Sequence, residues 1–209
     1  MCIRDRCSAN TEWDRAARKH VQAPTKLDPP VMIRRIPLGL PCSTHPEEWM
    51  SLFRDDVLSG KVALVTGGGT GIGVAIAREL GRQGATVVIA SRKAANIEPA
   101  AAGLSDELGA DVHGLICDIR DRESVSHAVG ETLAAHGRLD ILVNNAAILD
   151  VSPISELDPA VARNILDVNL VGAMIGTRVV MNDMASQGQG AIVNLGSIDA
   201  MEGMEEQFE

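Results

Sequence analysis

The glycines at positions 67, 71 and 73 stand in TGGGTGIG, Thr66 to Gly73, with the spacing Gly-x-x-x-Gly-x-Gly. That spacing suits one kind of chemistry, the holding of a pyrophosphate by main chain. The first glycine can turn the chain with an unrestricted φ, the second lets backbone approach the phosphates, and the third lets a helix pack close to a strand. Free N–H groups at the helix start, with the positive end of its dipole, then face the anion. Thr70 and Ile72 lie inside this turn and belong to the same candidate site. A P-loop is excluded, because no Lys-Ser/Thr pair follows the glycines. A glycine-rich turn with no ligand shows the same letters, so the surrounding elements have to decide.

Lys61 to Thr66 is almost continuously apolar, the pattern of a strand buried on both faces of a parallel sheet. Val74, Ala75, Ile76, Ala77 and Leu80 then keep helical spacing, and Gly81 with Gly84 supplies the stop. ATVVIA at Ala85 to Ala90 predicts a second strand, and Ala94 to Leu108 a helix. DVHGLICD, ending at Asp118, predicts a third strand. A helix is expected over Arg120 to His136, with Ser124, Val125, Ala128, Val129 and Leu133 on one face. LDILVNN gives a fourth strand, Asp158 to Ala185 a longer helix, and AIVNLG from Ala191 a fifth strand. This alternation predicts an α/β fold, a Rossmann-type doubly wound parallel sheet with helices on both faces. Ligands of such sheets sit beyond the carboxyl ends of the strands, near the topological switch point.

The chain has 209 residues, enough for one sizeable core, and only 2% aromatics, so that core is built from Ala, Val, Ile, Leu and Met. A formal charge of −9 provides no basic field for nucleic acid or anionic membrane. Cys2, Cys7, Cys42 and Cys117 form no CxxC and no metal-ligand spacing with the five histidines, which predicts no metal site and a reducing cytoplasm. No apolar run approaches the roughly 20 residues that span a bilayer, so a soluble protein is expected. Residues 1–49 hold six of the nine prolines and an excess of basic over acidic residues, unlike the remainder of the sequence. No helical or strand period persists there. They are expected to be an extension outside the domain of residues 50–209, with Met50 as the natural start. Asp5, Glu12, Asp14 and Asp28 count against an organellar transit peptide.

Five short elements stand at strand ends: TGGGTGIG, SRK after the second strand, CDI after the third, NNAA after the fourth and NLGS after the fifth. Together, from about Val57 to Ser197, they resemble the short-chain dehydrogenase/reductase family. The leader FRDDVLSGKVALVTGGGTGIG is similar to the enoyl-CoA and dienoyl-CoA reductase branch. The resemblance implies that the glycine motif holds a cofactor pyrophosphate and that Asp118 and Ile119 flank the adenine. It implies that Asn144 and Asn145 tie neighbouring strands together and, with Ala146, line the nicotinamide side. Asn169 matches the asparagine that holds a water in the proton relay, and Ser197 the serine that hydrogen-bonds the substrate carbonyl. A polar residue at a helix irregularity and a plain turn serine are the alternatives for these two. Ala147 replaces the family's usual glycine after NNA. Cofactor choice rests on Ser91, Arg92 and Lys93. An acidic residue there would accept ribose hydroxyls and repel a 2′-phosphate, whereas two cations and a hydroxyl pair with a phosphate dianion, so NADP(H) is expected over NAD(H). A solvated basic turn would have the same composition.

The resemblance breaks at the proton donor, a tyrosine in Tyr-x-x-x-Lys whose spacing puts both side chains on one helix face. This chain has no tyrosine, and no lysine after Lys93. The expectation is therefore a fold truncated after the fifth strand, silent alone, with the tyrosine falling at or beyond Glu209 in a longer reading frame. AIVNLG would then be an unprotected apolar edge, making the isolated chain marginally stable and prone to associate. The longer protein is expected to be a homo-oligomeric reductase of a small-molecule carbonyl or enoyl substrate. A nucleotide-binding regulator that has shed catalysis is the alternative.

Overall fold

A computed structural model describes residues 56–152 and 155–197 of the chain, all within the compact unit Thr44–Glu209. The expected extension over residues 1–49 and the segment after Ser197 lie outside the described residues.

The elements alternate as the sequence predicts: β1 (Val62–Thr66), α1 (Gly71–Arg82), β2 (Thr86–Ser91), α2 (Ala94–Leu108), β3 (His113–Ile116), α3 (Arg122–His136), β4 (Ile141–Asn144), the long helix α4 (Pro159–Gln187) and β5 (Ala191–Asn194). All pairings are parallel and the sheet order is β3-β2-β1-β4-β5. The winding reverses between β1 and β4, so the switch-point crevice opens at their carboxyl ends.

Every residue of β1 is buried because the strand period of two sends alternate side chains into two different cores. Val62 and Leu64 join Val125 and Val129 of α3 and Val168, Val180 and Met184 of α4. Ala63 and Val65 join Ala77 of α1 and Ile97 and Leu104 of α2. Both faces are thereby covered. Local chemistry sets the helix ends. Asp121 caps α3 through the Glu123 N–H at 3.0 Å, and Asp158 caps α4 through the Ala160 N–H at 2.7 Å, with Pro159 in the first turn.

The long helix differs from expectation in its interior. Between Pro159–Leu166 and Ala173–Gln187 it widens into a π-helical segment, Asp167–Gly172. Its buried positions, Val168, Gly172, Gly176, Val180 and Met184, recur every fourth residue. Close packing dictates two of them: a Cβ at Gly172 would lie 2.6 Å from Ile119 Cδ1, and one at Gly176 2.7 Å from Asn144 Oδ1. In contrast to the expectation from sequence, by length and composition alone this helix is apolar enough to cross a membrane. Arg163, Asp167 and Arg178 interrupt its apolar run, and here it covers one face of the sheet.

β5 pairs with β4 and is an edge among the described residues, with Val193 46% and Leu195 38% exposed. At the opposite end of the strands from the crevice, Asp140 is 4% exposed and joins several elements. It accepts hydrogen bonds from the Val62 N–H at 3.0 Å and from Arg138 at 2.7 and 2.5 Å, and lies 3.6 Å from Lys61 Nζ. Burial opposes its ionisation, but Arg138, the Val62 N–H and Lys61 together hold the carboxyl below its ordinary range. Asp140→Ala should cost about 2–3 kcal/mol, less than a fully buried pair because both cations are partly exposed. The carboxylate's contribution is complete above the unfolded-chain value of about 3.9 and is lost as pH falls through the lower folded-state value. Urea melts from pH 3 to 7 should show that acid loss in the parent and a flatter profile in Asp140→Asn.

Candidate functional site

A cavity of about 440 Å³ opens at the carboxyl ends of β1 to β4. It collects Gly67, Thr70, Gly71, Ile72 and Gly73 from the β1–α1 turn, Ser91, Arg92 and Lys93 from the end of β2, Asp118 and Ile119 from beyond β3, and Asn145 and Ala146 from beyond β4. These twelve are the residues singled out for a cofactor from sequence. Asn169 and Ser197, the two singled out for catalysis, are not among its lining residues.

Two of the glycines do different work. Gly71 has φ +52° and open space where a side chain would go, so its requirement is conformational and its exposed side faces the cavity. Gly73 has no unusual φ, but a Cβ there would collide with the Gly67 carbonyl oxygen and lie 2.7 Å from Asn145 Nδ2. Helix α1 can approach β1 only because that atom is missing. Its start is capped by no side chain and carries no acid in its first turn, which leaves its N–H groups and dipole available to an anion. Ile72, 67% exposed, presents an apolar surface at the mouth.

Hydrogen bonds weld the turn to the end of β4. The buried Thr66 Oγ1 donates to the Val143 carbonyl at 3.1 Å and accepts from the Asn145 and Ala146 N–H groups at 3.1 and 3.2 Å. Asn145 Nδ2 donates to the carbonyls of Thr66 and Gly67 at 2.9 and 3.3 Å. Asn144 works on the other side of the strand, donating to Asn194 Oδ1 of β5 at 2.8 Å. Asn144 thus ties β4 to β5, and Asn145 ties β4 to β1.

On the β3 side, Asp118 accepts from Arg120 Nε at 3.0 Å and Nη2 at 2.6 Å, and Arg120 Nη1 donates to Asn164 of α4 at 3.0 Å. These bonds hold the Asp118 carboxyl below its ordinary range against a desolvation penalty, and Arg92 adds to the effect. Burial pushes the neighbouring Cys117 thiol up, so it stays neutral.

Asn169 sits on the wide turn of α4 with both polar atoms engaged: Oδ1 accepts from the Ile148 N–H and Nδ2 donates to the Ile148 carbonyl, each at 2.9 Å. It therefore fixes a residue of the cavity wall. Ser197 is exposed, beyond the end of β5. Sequence reasoning overlooked Asn96, Ile148 and Val168 in the lining, and the roles of Gly68 and Gly69. A Cβ on Gly68 would meet Ile89 of β2 at 2.6 Å, and one on Gly69 would meet Asn96 of α2 at 3.2 Å. The run of three glycines was the available signal: the turn touches three elements, one for each.

Comparison with known proteins decides the family. The profile of the short chain dehydrogenase family matches residues 61–208. The chain belongs to the short-chain dehydrogenase family. Within it, the chain is 38% identical over 174 residues to dehydrogenase/reductase SDR family member 4 of Bos taurus, covering 78% of this chain and 61% of that one. It is 32% identical over 166 residues to the peroxisomal 2,4-dienoyl-CoA reductase of Danio rerio, covering 79% and 55%. Among solved structures, an NAD+-bound xylitol dehydrogenase superposes with a TM-score of 0.69 at 29% identity, over 72% of this chain and 58% of that one. The chain thus spans little more than half the length of these short-chain dehydrogenases. That a solved structure resembling it holds NAD+ means that the likeness alone leaves the dinucleotide unchosen.

Proposed function

We propose that this chain is the NADP(H)-binding portion of a short-chain dehydrogenase acting on the carbonyl or enoyl thioester of a small molecule. The observation that carries the cofactor assignment is the end of β2. Ser91, Arg92 and Lys93 line the cavity, and among the described residues none of their side chains makes a hydrogen bond or ion pair. Ordinary surface cations spend charge on neighbouring carboxylates, as Arg78 and Arg82 do on Glu107, each at 2.7 Å. Arg92 and Lys93 have no described carboxylate within ion-pair distance, and a phosphate dianion would supply the missing partner.

The rest of the cavity fits such a ligand. The uncapped start of α1 and the open side of Gly71 would take the pyrophosphate. Asp118 and Ile119 would flank the adenine, with Arg120 keeping the carboxylate ionised and oriented. Asn145 and Ala146 would line the nicotinamide side, held rigid by Thr66. When bound, the nicotinamide supplies the hydride. Ser197 would donate to the substrate oxygen, and Asn169 would hold the wall at Ile148. The 209 residues contain no tyrosine to provide the proton, which favours a second reading in which this chain binds the nucleotide without turning it over.

Titration of the full chain with the two reduced cofactors tests the assignment. NADPH should bind more tightly than NADH, and Arg92→Asp should weaken NADPH roughly five- to a hundredfold, the range of one charge-assisted pair. Equal affinities in the parent, or an unchanged preference in Arg92→Asp, would overturn it.

A further inference from the structure

We propose that Asn96 is a further cofactor-selecting residue, whose side-chain amide donates to the adenosine 2′-phosphate and whose placement is set by Gly69. The inference rests on the NADP(H) reading above. Asn96 lies in the first turn of α2, directly after Ser91-Arg92-Lys93, and lines the same cavity. That turn is capped by no side chain and holds no acidic residue, so nothing in it competes with a bound anion. Asn is a poor helix former because its amide prefers local main-chain partners. Here it has taken none: among the described residues the half-buried Asn96 side chain makes no hydrogen bond, while its N–H continues the helix entry to the Lys93 carbonyl at 3.0 Å. A donor held at a cavity wall beside two cations that form no ion pair among the described residues is placed to complete a phosphate site.

Gly69 fixes where that donor stands. A Cβ on Gly69 would come within 3.2 Å of Asn96 Cβ and within 3.3 and 3.4 Å of the Asn96 carbonyl carbon and oxygen, tighter than ordinary contact. The first turn of α2 therefore rests directly on the glycine turn, and a methyl at 69 would push Asn96 outward. Asn96 is thus where the pyrophosphate end of the cavity meets its ribose-phosphate end.

The experiment measures binding of NADPH, NADH and adenosine 2′,5′-bisphosphate to full-length protein with Asn96→Asp, Asn96→Ala, Gly69→Ala or Arg92→Asp. Asn96→Asp, nearly isosteric, should lower the ratio of NADPH to NADH affinity by about tenfold and weaken the bisphosphate equally, the size of a lost hydrogen bond to a charged group. Asn96→Ala should lower the ratio about threefold to tenfold, and Gly69→Ala should move it in the same direction. If Asn96 were only a spacer, both cofactors would weaken together and the ratio would hold, which overturns the proposal. If Arg92→Asp collapses the ratio while both Asn96 variants leave it intact, Asn96 is excluded and the cofactor reading stands. If Arg92→Asp also leaves it intact, the cofactor reading itself fails and takes this inference with it.

Discussion

Gly73→Val should unfold the crevice: the variant is expected to lose about 3 kcal/mol or more of stability and all measurable NADPH binding. The cause is the identity of the atoms a side chain would strike. A Cβ at 73 collides with the Gly67 carbonyl, which is backbone, and crowds Asn145 Nδ2, which is itself hydrogen-bonded to Thr66 and Gly67. Neither can step aside without parting α1 from β1 or breaking the bonds that join β1 to β4. Gly71→Ala makes the comparison, since its neighbourhood is empty and only its φ of +52° is at stake. Strain of about 1–2 kcal/mol is the expected cost there. Thermal melts with parallel NADPH titrations check both. A Gly73→Val protein that melts with the parent would show that helix and strand are not in such close contact.

The 209-residue chain should consume NADPH no faster than background when offered small ketones or enoyl thioesters. General acid catalysis accounts for about 10²–10⁴ in rate, and the chain has no phenol to provide it. Among the described residues, His113, His136 and Cys117 are badly placed as substitutes. His113 begins β3 and stacks edge-on against His136 at the end of α3, their centroids 4.9 Å apart, at the far end of the strands from the cavity. Cys117 is neutral and reaches the cavity, but from just beyond β3, with two strands between it and the β4 wall where Asn145 and Ala146 stand. Steady NADPH loss that requires substrate and disappears in Ser197→Ala would overturn this expectation and point to an acid elsewhere in the protein.

Much of the fold was legible because the signals were local and redundant. The apolar run of β1, the capping Asp121 and Asp158 and the terminal glycines each mark an element without reference to its neighbours. The cavity residues were legible for a related reason: a parallel sheet gathers its strand ends, so residues at strand ends meet. Three features depended on contacts that no linear pattern carries. Gly68 and Gly69 are small because Ile89 and Asn96 lie against them. The Asp118 carboxylate is committed to Arg120 rather than standing free, a pairing visible only once the chain turns after β3. Asn169 spends both ends of its amide on Ile148, 21 residues away, so a residue matched to a water-holding role also fixes the cavity wall.

The wide turn in α4 makes the length of that helix a form of information. Its buried residues fall every fourth position, from Val168 through Gly172 and Gly176 to Val180 and Met184. In a regular α-helix of 3.6 residues per turn, such a stripe winds steadily away from the surface it must cover. The π-helical segment uses less rotation per residue and brings the later half back into phase. Forcing all six residues of Asp167–Gly172 into an ordinary α-helix would over-rotate everything after it by about one residue's turn, about 100°, whereas an ordinary helix with one residue fewer there would keep the phase. In the over-rotated form Val180 and Met184 would leave the core, and β5 would be delivered out of register with β4. Residue count and turn width are therefore set together: the helix acts as an indexing device in which the wide turn absorbs one extra residue and preserves the phase of every residue after it.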